Sequence, residues 1–302
     1  MQWNRREFVI ASSLGLVGAV SHRSLFAQAR GGAPQAPVVP EFKDVRRNVG
    51  TFFARGGTIG YLVTPDAVVV VDSQFADTAP LFLEGMKPKT TRRFDLLINS
   101  HHHGDHTGGN KVIQPNVAKI VAHANVPGLQ KKAAAAAKTE ANQAYADTTF
   151  DKEWSAKVGN ETVAAKYYGP AHTGGDIAIT FQNANVVHMG DLMSFQRNPR
   201  ADRPAGASIV NWVPVLENIV KDHGNDTIYI FGHSKVGERL TGSGKDLLEL
   251  RDYFTAMLDY VRKGIAAGKS AEEIIKTGMP QFAANEGTPQ LQVAYDELTA
   301  KA

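Results

Sequence analysis

The pattern H-x-H-x-D-H, which places four metal-binding side chains in six positions, occurs in the segment HHHGDH at residues 101–106. The segment follows an apolar run that predicts a buried strand, and polar segments after such strands often carry the chemistry of α/β proteins. His101 and His103 are two residues apart on extended backbone, so they point to the same side and can bind one cation. Asp105 and His106 can then reach a second cation. The segment therefore predicts a metal site at the end of a strand.

Three further residues have the chemistry to complete this site. His172, Asp191 and His233 each follow a short β-like run, so we expect them at the same end of a sheet. A single His or Asp after a strand is often only a turn or cap residue, but catalytic zinc sites need three protein ligands and an open position. The sequence thus suggests one metal bound by His101, His103 and His172, a second bound by Asp105, His106 and His233, and Asp191 as a bridge.

These motifs resemble the metallo-β-lactamase superfamily of metal-dependent hydrolases, from about Asn48 to Gly237. Gly108, Gly109 and the segment at residues 169–173 are also typical of that family. The resemblance implies an α/β fold, a four-layer αβ/βα sandwich with the metal site at the edge between two mixed sheets. It also implies two zinc ions (Zn2+) per chain that share a water or hydroxide. Asp105 would be the catalytic residue, ligating one metal and orienting that water or accepting its proton.

The identity of the metal and the reaction leave alternatives. Histidine and aspartate ligands suit zinc but also iron or manganese. Relatives with a di-iron centre usually carry Glu at the position of His103, so the histidine there favours zinc. We expect hydrolysis of a cyclic amide or ester, of the β-lactam or lactone type. A thioesterase of the glyoxalase II type, a mononuclear-iron sulfur dioxygenase of the same superfamily, and a non-catalytic metal-binding protein are the alternatives.

Composition narrows the partners of the chain. No cysteine occurs among its 302 residues, which excludes a disulfide framework and any thiolate ligand. One lactamase subclass places a cysteine at the position of Asp191, so the chain differs from that subclass. The net charge of +3 is small, and no Lys/Arg block alternates with aromatic residues. We therefore expect a small-molecule substrate and no nucleic-acid partner.

The N-terminal residues resemble an export signal. Residues 1–29 contain Arg5-Arg6, an apolar run to Val20 and small residues before a possible cleavage point, as in twin-arginine signal peptides. The sequence thus predicts transport by the twin-arginine export machinery to the periplasm or the cell exterior. The apolar run is short for a membrane span, so we expect no stable membrane insertion. Residues 30–47 are predicted to be a linker, and residues 48–302 the hydrolase domain.

Hydrophobic periodicity predicts a β-rich first part followed by alternating strands and helices. The expected strands cover residues 52–55, 58–63, 67–72, 94–98, 119–122, 176–181, 184–189 and 227–231, and the expected helices cover residues 78–86, 124–138, 212–221, 247–265, 271–277 and 289–300.

Two segments near the predicted site have open roles. The hairpin Phe52–Gly57 resembles the flexible flap that covers the site of β-lactamases. The same residues are equally compatible with an ordinary core strand and turn. The loop Gln196–Ser208 carries Arg197, Arg200 and Arg203. One of these arginines could bind a substrate carboxylate, although exposed arginines are commonly just solvated.

Overall fold

A mixed β-sheet forms the first half of the fold in a computed structural model, which describes residues 38–279 and 285–300. Its strands lie in sequence order, antiparallel from the first to the fourth and parallel from the fourth to the seventh. They are β1 (Glu41–Arg46), β2 (Val49–Phe53), β3 (Ile59–Val63), β4 (Val68–Val71), β5 (Phe94–Asn99), β6 (Val117–His123) and β7 (Thr148–Phe150).

A second mixed sheet faces the first and has six strands. Its members are β8 (Glu153–Val158), β9 (Glu161–Lys166), β10 (Ala178–Phe181), β11 (Val186–His188), β13 (Ile228–Ile230) and β15 (Thr241–Gly242). The order across this sheet is β15-β13-β11-β10-β9-β8, and only β11 and β13 run parallel. A separate parallel pair joins β12 (Ser194–Phe195) to β14 (His233–Ser234).

Helices cover the outer faces of both sheets. They are α1 (Ala79–Met86), α2 (Gly104–Thr107), α3 (Asn110–Ile113), α4 (Val126–Ala137), α5 (Ile209–Asp222), α6 (Gly244–Ala266), α7 (Ala271–Thr277) and α8 (Leu291–Thr299). Ser243 caps α6 and Ser270 caps α7, each in a capping box with the acidic residue three positions on. Within the described ranges, no helix has both the length and the apolar character to cross a membrane.

The alternation of side chains along β4 shows why the first sheet is buried on both faces. Val69 and Val71 pack between the two sheets, whereas Val68 and Val70 pack against Phe82 of α1. Successive strand residues point to opposite faces, so a continuous valine run suits a strand with apolar neighbours on both sides. This strand therefore contributes to two layers of the core at once.

The second sheet repeats this arrangement. Val186 of β11 packs between the sheets, and its neighbour Val187 packs outward with Trp212 of α5 and Phe254 of α6. The indole N–H of Trp212 donates to the Leu192 carbonyl at 3.1 Å, so this buried ring leaves no donor unpaired. The layers are thus helix, sheet, sheet and helix, and the predicted α/β sandwich with two mixed sheets is confirmed.

The predicted linker at residues 30–47 is wrong in its last part. Glu41–Arg46 form β1, which pairs with β2 at the edge of the first sheet, and Phe42 packs 4.8 Å from the ring of Phe52. Strands β7 and β8 were also not predicted. Residues 1–37, and with them the predicted signal peptide, lie outside the described part of the chain.

We expect a chain that begins at Asn48 to be less stable than one that begins at Val39. The shorter chain loses β1 and exposes Phe52 and Phe82, which the Phe42 ring covers at 4.8 and 6.1 Å between centroids. Urea unfolding should show a free energy of unfolding lower by about 2–4 kcal/mol. Phe42→Ala in the longer chain should reproduce roughly half of that loss. Equal stability of the two chains would contradict the assignment of β1 to the domain.

Candidate metal centre

Three histidine nitrogens converge after strand β5 and in the loop between β9 and β10. His101 Nε2 lies 3.1 Å from His103 Nδ1, which lies 2.8 Å from His172 Nε2. His101 and His172 are almost fully buried. Three imidazole nitrogens at these separations have the spacing of ligands around one cation. We call them the three-histidine set.

A second group of ligating atoms lies beside the first. His233 Nε2 lies 3.4 Å from His106 Nε2 and 3.1 Å from Asp105 Oδ2. His106 Nε2 and Asp105 Oδ2 are 3.9 Å apart. The ligating atoms of this group also lie close enough to share one ion. We call these three residues the mixed set.

Asp191 stands between the two sets. Its Oδ2 lies 3.3 Å from His172 Nε2, and its Oδ1 lies 3.0 Å from His106 Nε2 and 3.3 Å from His233 Nε2. Among the described residues this buried Oδ1 has no hydrogen-bond partner of acceptable geometry. A buried carboxylate oxygen next to imidazole nitrogens but without a hydrogen bond fits a metal ligand. The structure thus brings all seven predicted residues together, and their donor atoms fit a pair of cations.

In each buried histidine of the candidate site, the ring nitrogen that faces away from the centre has a hydrogen-bond partner. His106 Nδ1 donates to Asp72 Oδ2 at 2.7 Å, and His172 Nδ1 donates to the Arg200 carbonyl at 2.5 Å. His101 Nδ1 lies 3.0 Å from the hydroxyl of Ser100, which itself donates to Asp72 at 2.7 Å. Such partners fix the tautomer and the orientation of a ligand imidazole. The sequence reading missed them, although Asp72 follows a buried strand as the predicted ligands do.

Glycines allow the backbone to approach the metal ligands closely. A Cβ atom at Gly57 would overlap the ring of His106, and one at Gly232 would overlap Asp191 Oδ1. Gly57 is fixed there because its N–H donates to the Asp105 carbonyl at 3.1 Å and its carbonyl accepts from Gln74 Nε2 at 2.7 Å. The turn between β2 and β3, which contains Gly57, is therefore part of the wall of the site.

A buried carboxylate shapes the turn that carries His172. Asp176 accepts from the Thr173 N–H and from the Thr173 hydroxyl, both at 2.6 Å. Burial raises the pKa of Asp176 to about 6, although these hydrogen bonds lower it. The carboxylate thus closes a tight turn directly after His172.

The electrostatics of the two sets differ. Burial lowers the pKa of His101, His103 and His172 below the usual histidine value. Burial acts in the same direction on His106 and His233 of the mixed set, but the charge of Asp191 opposes it and, with hydrogen bonds to carboxylates, outweighs it. The pKa of His233 is therefore raised to about 9, and the pKa of His106 lies well above its usual value.

The carboxylates explain why the mixed set attracts positive charge. Although burial would raise its pKa, Asp191 has a pKa well below its usual range because His233 and His106 lie beside it. Asp72 also faces His106 and carries no exposed surface. Buried carboxylates at this density need nearby cations, which protonated imidazoles or metal ions can supply.

A cavity of about 400 Å³ opens onto the ligands. Its outer wall includes Phe75, Ser194, Pro199 and the exposed residues Arg197 and Arg200. The loop Gln196–Ser208 therefore forms one side of the cavity. This position is compatible with the expectation that one of its arginines could bind a substrate carboxylate. A pocket of this size suits a small molecule.

The hairpin Phe52–Gly57 packs against the site. Arg55 lies 4.4 Å above the centre of the Phe75 ring and forms an ion pair with Asp77. A Cβ atom at Gly56 would meet the same ring at 2.8 Å. The hairpin turn is thus docked on Phe75, and it is a short connection between β2 and β3.

The sequence model of the metallo-beta-lactamase superfamily matches residues 53–240, more than half of the chain. The chain therefore belongs to this superfamily, and the histidine and aspartate clusters are those of a metallo-hydrolase.

Similar proteins come from several organisms. A metallo-beta-lactamase type 2 of Bacillus cereus is 26% identical over 181 residues, which cover 59% of this chain and 67% of that protein. A "probable metallo-hydrolase" of Methanocaldococcus jannaschii is 25% identical over 193 residues, covering 61% of this chain and 90% of that protein. A solved metallo-beta-lactamase from Pontibacter korlensis superposes with a TM-score of 0.59 over 72% of this chain and 99% of that one, at 15% identity. This last similarity supports the fold.

We expect His233→Ala to empty the mixed set while leaving the three-histidine set able to bind. After metal loading and dialysis, elemental analysis should find about one metal ion per chain in place of about two. His223→Ala is the matched control, because the His223 ring lies outside the centre and hydrogen-bonds Thr180 at 3.1 Å and the Ile219 carbonyl at 2.7 Å. Equal metal content in the two variants would contradict the mixed set.

Proposed function

We propose that the chain is an exported dinuclear zinc hydrolase that cleaves a cyclic amide or ester, of the β-lactam or lactone type, by attack of hydroxide on the carbonyl carbon. One observation carries the proposal: the two oxygens of Asp191 face two separate three-ligand sets, at 3.3 Å from His172 Nε2 and 3.0 Å from His106 Nε2. Two sets of three ligands beside an open cavity match the demands of a catalytic site better than those of a closed structural one.

Zinc ions held by the two sets would lower the pKa of water toward neutrality and polarise a carbonyl group. The protein residues contribute orientation and proton handling. Asp105 is the one carboxylate of the mixed set, and its side chain is 27% exposed and lines the cavity. From there it can accept the proton of the attacking water and hold the water in line with a carbonyl carbon.

The exposed arginines of the loop Gln196–Ser208 support an anionic substrate. Arg197 and Arg200 line the cavity, and among the described residues neither guanidinium has a hydrogen bond or an ion pair. Arg203 instead donates to the Ala207 carbonyl at 2.6 Å and lies 3.7 Å from Glu297. Although burial raises it, the pKa of the Asp202 carboxyl is lowered, and the charge of Arg200 contributes to this. The two rim arginines can bind a carboxylate group of the substrate, whereas Arg203 is engaged elsewhere.

Export remains an inference from residues 1–29, which lie outside the described part of the chain. The arginine pair Arg5-Arg6 ahead of an apolar run supports transport by the twin-arginine machinery, which carries folded proteins. A periplasmic or secreted hydrolase would meet cyclic amides and esters from the surroundings. A thioesterase of the glyoxalase II type acts on a cytosolic substrate and fits such a location less well, although an aspartate at position 191 is common to thioesterases and lactonases.

We expect the chain purified from Arg30 onward to contain about two zinc ions, and to hydrolyse a chromogenic β-lactam or a simple lactone. A chelator should abolish turnover and added zinc should restore it. The assay of both substrates on one sample ranks lactam against lactone. One iron ion per chain without hydrolysis would overturn the proposal in favour of the mononuclear-iron sulfur dioxygenase.

We expect Arg200→Ala to raise KM about 10-fold for a substrate that bears a carboxylate, because a charged hydrogen bond is lost from the ground state and the transition state alike. The KM for a neutral lactone should change little. Arg203→Ala in the same loop is the control, since its side chain is bound to Ala207 and Glu297. Equal KM values for the two variants on the anionic substrate would contradict the role of Arg200.

A further inference from the structure

In each set of candidate metal ligands, one histidine has its outer ring nitrogen hydrogen-bonded to a carboxylate. Asp72 accepts from His106 Nδ1 of the mixed set at 2.7 Å. Asp202 accepts from His103 Nε2 of the three-histidine set at 2.9 Å. The remaining ring nitrogens of the three-histidine set contact neutral oxygens, the Ser100 hydroxyl and the Arg200 carbonyl. Asp202 is therefore the charged partner of the three-histidine set, as Asp72 is that of the mixed set.

The contact with Asp202 determines which nitrogen of His103 faces the metal centre. The ring places Nε2 on Asp202, and so Nδ1 lies toward His101 Nε2 at 3.1 Å and His172 Nε2 at 2.8 Å. A hydrogen on Nε2 leaves the lone pair of Nδ1 free for a cation. Rotation of this ring by half a turn would remove a donor atom from the set.

The backbone of the loop holds Asp202 in place for this contact. Its N–H donates to the His172 carbonyl at 2.9 Å, and its carbonyl accepts from the N–H groups of Ala205 at 3.0 Å and Ala207 at 3.1 Å. The side chain is only 17% exposed. Asp202 thus touches one ligand through its carboxylate and a second ligand through its backbone.

We infer that Asp202 is a positioning residue for His103 and raises the metal affinity of the three-histidine set. The inference rests on the proposed dinuclear function, because it needs a metal ion at that set. A carboxylate on the distal nitrogen fixes the tautomer and the ring orientation and makes the ligand nitrogen more basic. Loss of such a partner commonly weakens metal binding about 10–100-fold.

A purely structural pairing with His102 is the competing explanation. His102 Nε2 lies 3.9 Å from Asp202 Oδ2, beyond hydrogen-bond distance, whereas His103 Nε2 lies at 2.9 Å. His102 also packs 4.5 Å from the His103 ring. A structural role for Asp202 would show mainly in the stability of the folded chain without metal, whereas a positioning role would show mainly in metal binding.

The test measures the zinc affinity of each set by competition with a chelator. His233→Ala disables the mixed set, so that the three-histidine set is measured alone, and His172→Ala disables the three-histidine set, so that the mixed set is measured alone. Asp202→Ala in the His233→Ala background should weaken zinc binding about 10–100-fold. The same change in the His172→Ala background should alter binding to the mixed set by no more than about twofold, because the Asp202 carboxylate contacts His103 of the three-histidine set at 2.9 Å. Asp202→Asn keeps the size and one acceptor oxygen, so its loss should be smaller than that of Asp202→Ala.

Two further readouts separate positioning from folding. The visible absorption bands of the cobalt(II)-loaded His233→Ala chain should change on Asp202→Ala, because the ligand field of His103 changes. The midpoint of thermal unfolding of the metal-free chain should stay within about 2 °C. Arg203→Ala, one residue along the same loop, should change neither the spectrum nor the zinc affinity.

Unchanged zinc affinity in Asp202→Ala would overturn the inference. Equal weakening of both sets, together with a lower unfolding midpoint of the metal-free chain, would also overturn it, because this is the result of a structural role. An unmutated chain that binds no metal tightly would overturn the proposed function itself, which is a different result from that of any Asp202 variant.

Discussion

The packing of the two sheets against each other is the constraint on which the site depends. His101 follows β5 of the first sheet, whereas Asp191 follows β11 of the second. The apolar layer between the sheets, with Val71 and Ile98 on one side and Ile230 on the other, therefore sets the distance between the candidate metal ligands. Close-packed interiors transmit small displacements, so the core and the ligand spacing cannot vary independently. The metal centre is in this sense a product of the whole sandwich.

Charge is the second constraint, and it makes the site suited to cations. Asp72, Asp105 and Asp191 converge on the His106–His233 side of the centre. Burying carboxylates together is costly unless positive charge compensates them. Although burial lowers it, the charge of Asp191 raises the pKa of His233 to about 9, so that protonated imidazoles can provide that charge when no metal is bound. Metal ions would displace those protons, so metal binding and stability of the folded chain are linked.

The candidate ligands could be proposed from the sequence because they occur in short patterns at strand ends, and the structure brings their side chains together. His101 and Asp105 belong to one compact motif, and a strand precedes Asp191 directly. The supports of the ligands have no such pattern. Asp202 is 99 residues from His103 and lies in a loop without periodicity, so only the folded chain shows their contact.

Strand β1 was missed for a related reason. Three of its six residues are exposed and none is fully buried, although Phe42 packs on the fold. An edge strand that is half in solvent gives a weak hydrophobic signal next to a proline-rich segment.

The loop Gln196–Ser208 contributes both to the cavity wall and to the support of the three-histidine set. Arg200 lines the cavity, and its backbone carbonyl accepts a hydrogen bond from His172 Nδ1. Because one loop forms both a wall of the cavity and a support of the three-histidine set, a substitution that changes the cavity wall in this loop also acts on the candidate metal ligands.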